Sequence, residues 1–110
     1  MSFVTTHVLD AVSGEPAAGV SVTLAERGGE GWEPLASGVT DADGRIGTLG
    51  PDRLGDGVYQ LRFDTGIYFQ RRDMVTFYPE VVITFDVDGG EHYHVPLLLS
   101  PFAYSTYRGS

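Results

Sequence analysis

About eight short runs of alternating apolar and β-branched or aromatic residues, separated by glycine-containing turns, fill this 110-residue chain. Each run buries one face only, so runs of this kind must stack on one another, and their regular spacing predicts an all-β sandwich. The expected strands cover residues 4–10, 20–25, 32–40, 58–63, 81–87, 92–99 and 102–107. Residues 65–72 form the only expected helix, about two turns long, with Thr65 as the candidate N-cap. Gly14-Glu15-Pro16 closes the first strand and Asp43-Gly44 reads as a two-residue turn that aims Arg45. Asp88-Gly89-Gly90 is expected to fold the 81–87 and 92–99 strands into an antiparallel hairpin.

Fifteen glycines, against a usual share of about 7%, agree with a turn-rich β chain, and nothing in residues 1–110 marks a second domain. The formal charge of −8 disfavours nucleic acid and anionic membrane surfaces as partners. All seven basic residues are Arg. A chain without Lys forms no side-chain Schiff base, and one without Cys has no thiolate nucleophile, disulfide or Cys-bound metal. No apolar run is long enough for a membrane-spanning helix and the opening residues carry no secretory leader pattern, so the expectation is a cytoplasmic protein.

The richest polar cluster is Glu91-His92-Tyr93-His94-Val95-Pro96. Period-two alternation sends Tyr93, Val95, Leu97 and Leu99 to one face and His92, His94, Pro96 and Leu98 to the other. Apolar Tyr93 to Leu99 is the core face, which leaves both imidazoles opposite. Pro96 lacks a backbone donor, so this strand should lie at an edge or carry an irregularity there. An imidazole with a pKa near 6.5 serves as a general base around neutrality. Another use of the same residues is a metal centre of His7, His92 and His94, and Asp41-Ala42-Asp43-Gly44 is a poor match to a calcium loop because the later ligands are missing.

Three blocks of this sequence resemble one family. His92-Tyr93-His94-Val95-Pro96-Leu97-Leu98-Leu99-Ser100-Pro101 followed by Tyr104-Ser105-Thr106-Tyr107-Arg108-Gly109-Ser110 closely resembles the C-terminus of the transthyretin-related 5-hydroxyisourate hydrolases. Thr6-His7-Val8-Leu9-Asp10 with Gly14, Pro16 and Ala17-Ala18-Gly19-Val20 resembles their opening, and Thr40-Asp41-Ala42-Asp43-Gly44-Arg45 their central signature. The resemblance implies a transthyretin-like sandwich of two four-stranded antiparallel sheets with one short helix. It also implies hydrolysis of 5-hydroxyisourate, the product of urate oxidation, without cofactor or metal, by a homotetramer built as a dimer of dimers with its site at a subunit interface.

Carried over residue by residue, the resemblance implies catalytic roles for His7, Arg45, His94 and Ser110. Substrate contacts fall to His7, Arg45, Tyr107, Arg108 and Ser110. Proton transfer would belong to the two imidazoles and charge stabilisation to Arg45, while Arg108 could instead pin the chain end by pairing with a carboxylate. Which imidazole is the base stays open at this level. A transthyretin-type carrier is the rival of the same fold, and the resemblance implies that the hormone-carrying branch lacks the Tyr-Arg-Gly-Ser ending and the His and Arg set.

Overall fold

The structure, a computed structural model, describes residues 2–90 and 92–109. Its elements in chain order are β1 (Val4–Asp10), β2 (Glu15–Pro16), β3 (Ser21–Arg27), β4 (Trp32–Val39), β5 (Gly57–Phe63), α1 (Thr65–Gln70), β6 (Val81–Val87), β7 (Tyr93–Ser100) and β8 (Ala103–Thr106). They form two four-stranded sheets, in the orders β2-β1-β7-β8 and β4-β3-β5-β6. The expected sandwich with one short helix is therefore the fold.

Inward residues of both sheets build one core. Val4 and Val8 of β1, Val22 and Leu24 of β3, Leu61 and Phe63 of β5, and Leu97 and Leu99 of β7 are fully buried. Burying an aliphatic or Phe side chain of this size stabilises by about 1.5–3 kcal/mol. That alternation fixes the opposite face of β1, where Thr5, His7 and Leu9 are only half-buried.

Glu15-Pro16, expected in the turn after β1, instead pairs with Asp10 and Leu9 as β2, and three larger expectations need correction. The sheets are not wholly antiparallel, because β1 and β7 run parallel with Thr5 opposite His94 and His7 opposite Pro96. These strands are remote in sequence and no tight turn joins them, so the constraint that makes a hairpin antiparallel does not apply. The expected hairpin of β6 and β7 does not form either, since β6 pairs with β5 and β7 with β1 and β8. Both strands carry an apolar face, and the 88–90 turn passes the chain from one sheet to the other so that both faces reach the core. Its amides bond a side chain instead of a ladder: those of Asp88 and Gly90 donate to the Tyr93 hydroxyl at 2.9 and 3.1 Å.

The third correction concerns the helix, whose N-cap is Asp64, without a side-chain capping bond. Thr65 is fully buried, and its hydroxyl donates to the Tyr78 carbonyl at 2.8 Å. Tertiary bonding has taken the group that local sequence would assign to capping.

Helix α1 is tied to the first sheet through a buried polar joint. Asp10 Oδ1 accepts from the amides of Val12 and Ser13 at 2.8 and 3.2 Å, and Asp10 Oδ2 accepts from the Tyr68 hydroxyl at 2.7 Å. The Arg72 guanidinium lies 3.7 Å from the centre of the Tyr68 ring. Burial, then the Asp10 carboxylate, pushes the Tyr68 phenol up to about 12. The protonated phenol therefore stabilises the fold fully below its ordinary pKa of about 10, and this contribution is lost as pH rises through its raised value. We expect Tyr68→Phe to lower unfolding free energy by about 1–3 kcal/mol at pH 7, with the gap to the unsubstituted protein closing above about pH 10. Urea melts at several pH values measure it, and a gap independent of pH would contradict the assignment.

Candidate active site

The parallel register brings the two histidine-bearing stretches side by side on the outer face of the first sheet. Thr5 of β1 lies opposite His94 of β7, and its Oγ1 is 2.8 Å from His94 Nδ1 and 3.0 Å from His92 Nε2. The two imidazole planes are nearly parallel, at 15°, with centroids 6.4 Å apart. His94 is half-buried and His92 exposed.

Arg45 arrives on the connection between β4 and β5 of the other sheet. Gly44 adopts φ 74°, a region that favours glycine, and its carbonyl accepts from the Val8 amide at 2.8 Å. A side chain there would run into the Val8 carbonyl. The turn is closed by Asp41, whose Oδ1 accepts from the amides of Asp43 and Arg45 at 2.9 and 3.0 Å, while its own amide donates to the Arg45 carbonyl at 2.7 Å. Ile46 then plugs the core, and Arg45 forms a single antiparallel bridge with His7. The chain turns here as expected, but the turn is centred on Ala42-Asp43, since the Gly44 amide donates to the Asp41 carbonyl at 2.9 Å, and it delivers one bridging residue rather than a hairpin strand.

These groups enclose a cleft of about 370 Å³ lined by Thr5, Thr6, Asp41, Arg45, Ile46, Gly47, His92 and His94. His7 stands next to it, half-buried, bridged to Arg45 and in register with Pro96. His94 is held below the ordinary imidazole range, first by burial and then by the positive field of Arg45, His92 and His7. Both effects favour the neutral ring, the form in which a general base must act.

The chain end lies along the other side of His94. Beyond the Leu97–Thr106 pair the ladder of β7 and β8 is interrupted at Pro96, and pairing resumes where the Gly109 amide donates to the His94 carbonyl at 2.9 Å. Pro96 therefore sits in a central strand, not an edge. Its missing donor falls in the gap that residues 107 and 108 occupy, which is the irregularity its sequence position required. Thr106 Oγ1 donates to the Pro96 carbonyl at 2.7 Å and holds the strand beside that gap.

Tyr107 and Arg108 line a second cleft of about 330 Å³, with Ile83, Phe85, Asp86, Tyr93, Val95 and Thr106, and His94 forms a wall of both clefts. The Arg108 guanidinium packs over Tyr93 at 4.4 Å from the ring centre. It pins the chain end by stacking on an aromatic face, where sequence reading offered either a carboxylate partner or direct participation. Arg45, His94 and His7 are thus gathered in one place, Tyr107 and Arg108 lie across His94 from them, and Ser110 falls outside the described residues. Among the described residues no three His, Cys, Asp or Glu side chains are grouped to hold a metal ion, so the three-imidazole centre is not assembled here.

Thr5 and Asp41 were missed as site residues. Thr5 shares the alternating face of His7, a signal present in the sequence, whereas its meeting with His94 depends on a long-range parallel pairing that alternation does not encode. Gly109 has a role of its own, because a Cβ there would lie 2.5 Å from His94 Cδ2. We expect Gly109→Ala to displace the His94 ring, read as larger imidazole shifts at His94 than at His7 in NMR spectra. Unchanged His94 signals would show that the chain end does not pack on it.

A family model described as the HIUase/Transthyretin family matches residues 4–109. The 5-hydroxyisourate hydrolase of Salmonella dublin is 48% identical over 106 residues, covering 94% of this chain and 78% of that protein. Among solved structures, Klebsiella pneumoniae 5-hydroxyisourate hydrolase is 41% identical with a TM-score of 0.88, covering 99% of this chain and 100% of that one. Transthyretin from Sparus aurata is 35% identical with a TM-score of 0.93, covering 99% and 97%. Residues 4–109, nearly the whole sandwich and the cleft it carries, place this chain in the HIUase/Transthyretin family.

Proposed function

We propose that this protein hydrolyses 5-hydroxyisourate in urate catabolism, with the chemistry in the cleft between Arg45 and His94. The observation that carries the reading is a half-buried imidazole facing the same cleft as a turn-fixed guanidinium, with burial and that cation both favouring its neutral form. Overlay on the fold alone does not separate hydrolase from carrier, since both kinds of relative superpose over nearly the whole chain. The side chains favour the hydrolase, because a carrier has no use for a base held neutral next to a cation.

In the proposed reaction His94 takes a proton from water, which adds to a ring carbonyl of the substrate. Arg45 stabilises the negative charge that forms on the attacked oxygen. The adjacent C–N bond then opens, and an imidazolium returns the proton to the departing nitrogen. His7 lies where it can share that transfer, and Tyr107, Arg108 and Ser110 are proposed to bound the substrate from the side of the chain end. Since Thr5 occupies Nδ1 of His94, Nε2 is the nitrogen left for water.

His94→Ala should lower kcat by about 10²- to 10⁴-fold, and Arg45→Lys should not restore an Arg45→Ala loss because a point charge does not reproduce a planar fork. Because His94 is held below its ordinary range, the acid limb of the rate profile should lie below about pH 6.5. Loss of 5-hydroxyisourate generated in situ from urate and urate oxidase is the assay, and unimpaired turnover by both alanine variants would refute the site.

The proposed working form is a homotetramer, a dimer of dimers, with the cleft completed at a subunit interface, in the cytoplasm. Every residue of β8 is exposed and it is a sheet edge without charge to block pairing. Next to it Phe77, whose amide donates to the Pro101 carbonyl, and Phe102 are 71% and 66% exposed, and Tyr104 stacks edge-on against Tyr78 at 5.1 Å. An apolar edge of this kind suits a second copy of the chain. Tyr104→Arg should shift the particle mass in light scattering to a smaller species and reduce turnover with it. A fully active monomer would rule out the shared site.

A further inference from the structure

We propose that Thr5 is a positioning residue that couples His94 to His92, so that the proton taken up at the half-buried ring leaves through the exposed one. This rests on His94 being the base. A hydroxyl has one proton to donate and lone pairs to accept with. With imidazole nitrogens at 2.8 and 3.0 Å on either side, the chain between neutral rings has a direction. When His94 Nδ1–H donates to Thr5 Oγ1, the Thr5 hydroxyl donates to His92 Nε2, and His94 Nε2 is bare. That is the tautomer a base needs.

The balance closes at each step. Water gives a proton to His94 Nε2, making an imidazolium. Its Nδ1 proton passes to Thr5 Oγ1 as the Thr5 proton passes to His92 Nε2. His94 is then neutral with its proton on Nε2, and the positive charge sits on His92, which releases it to solvent from Nδ1. Reversal of the same transfers lets His94 donate Nε2–H to a leaving nitrogen while Thr5 refills Nδ1.

The surroundings explain why such an outlet matters. His94 faces Arg45 and His7, with Asp41 also on the cleft wall, and Arg108 and Asp86 lie in the cleft beyond it. A cation on His94 would sit half-buried in the field of the Arg45 guanidinium and the His7 imidazole, whereas His92 is exposed to water. The near-parallel rings, at 15°, present both nitrogens to the one hydroxyl. No such link is available from the mirror positions, since the hydroxyl of Thr6 points inward and donates to the Val95 carbonyl.

The test combines spectroscopy and kinetics on Thr5→Val and Thr5→Ser. Two-bond nitrogen–proton NMR correlations on uniformly labelled protein report each imidazole tautomer without reference to activity. We expect the Nδ1–H form of His94 in the unsubstituted protein and in Thr5→Ser, and its loss in Thr5→Val. In turnover Thr5→Val should lower kcat by about 10- to 100-fold, up to the low end of positioned acid–base catalysis, with little change in KM, and Thr5→Ser should recover most of it. Unaltered His94 and His92 tautomers in Thr5→Val, or equal defects in both variants, would overturn the coupling. A Thr5-dependent tautomer in a protein whose His94→Ala variant turns over normally would instead keep the coupling and remove His94 as the base.

Discussion

The parallel pairing of β1 with β7 is the constraint on which the rest of this molecule depends. Register in a half-buried strand is fixed by which face goes to the core, because a slip of one residue would turn Val4 and Val8 outward and Thr5 and His7 inward. Core packing therefore determines that the Thr5 hydroxyl meets His94 and that His7 stands beside Pro96. The polar face carries the proposed chemistry, but the apolar face holds it in place. Ile46 does the same for Arg45, burying itself one residue after the guanidinium it orients.

A second joint, Tyr93, connects the sheet crossover to the chain end. Its hydroxyl accepts the amides of the 88–90 turn, its ring packs on Phe3 at 5.5 Å, and Arg108 stacks over it. One core residue thus closes the turn that the β6–β7 hairpin would have closed and anchors the segment that walls His94. Pro96 and Gly109 make room for that segment, the first by withholding a ladder donor and the second by withholding a Cβ.

Much of this was legible in the sequence, for identifiable reasons. Alternation is a local signal, and it located the strands and gave the faces of His7 and His94. The turn that ends at Gly44 was readable because φ > 0 demands a residue such as glycine. What failed was everything decided by distant partners. The 88–90 turn has hairpin chemistry, yet it crosses between sheets because two core faces had to be served. Thr65 looked like a cap until Tyr78 claimed its hydroxyl. The role of Thr5 was not readable for the same reason, since it acts through a neighbour that folding, not sequence spacing, supplies.

The charge distribution ties these pieces together. A chain with a net charge of −8 would repel the flat, anionic-leaning substrate proposed, yet the cleft joins Arg45 to two imidazoles, with His7 beside it, and among the described residues its one acidic side chain is Asp41, whose carboxylate is engaged with backbone amides. Arg45 then acts twice in the proposed chemistry. Before reaction its field adds to burial in keeping His94 neutral, and so able to take a proton. As water adds, the same cation faces the oxygen that becomes negative. The two effects have a common cost, because a protonated His94 next to Arg45 is disfavoured by the very field that made it a usable base. A cation so placed must be discharged quickly or moved, and the Thr5 hydroxyl, touching both His94 and the exposed His92, is the group positioned to move it.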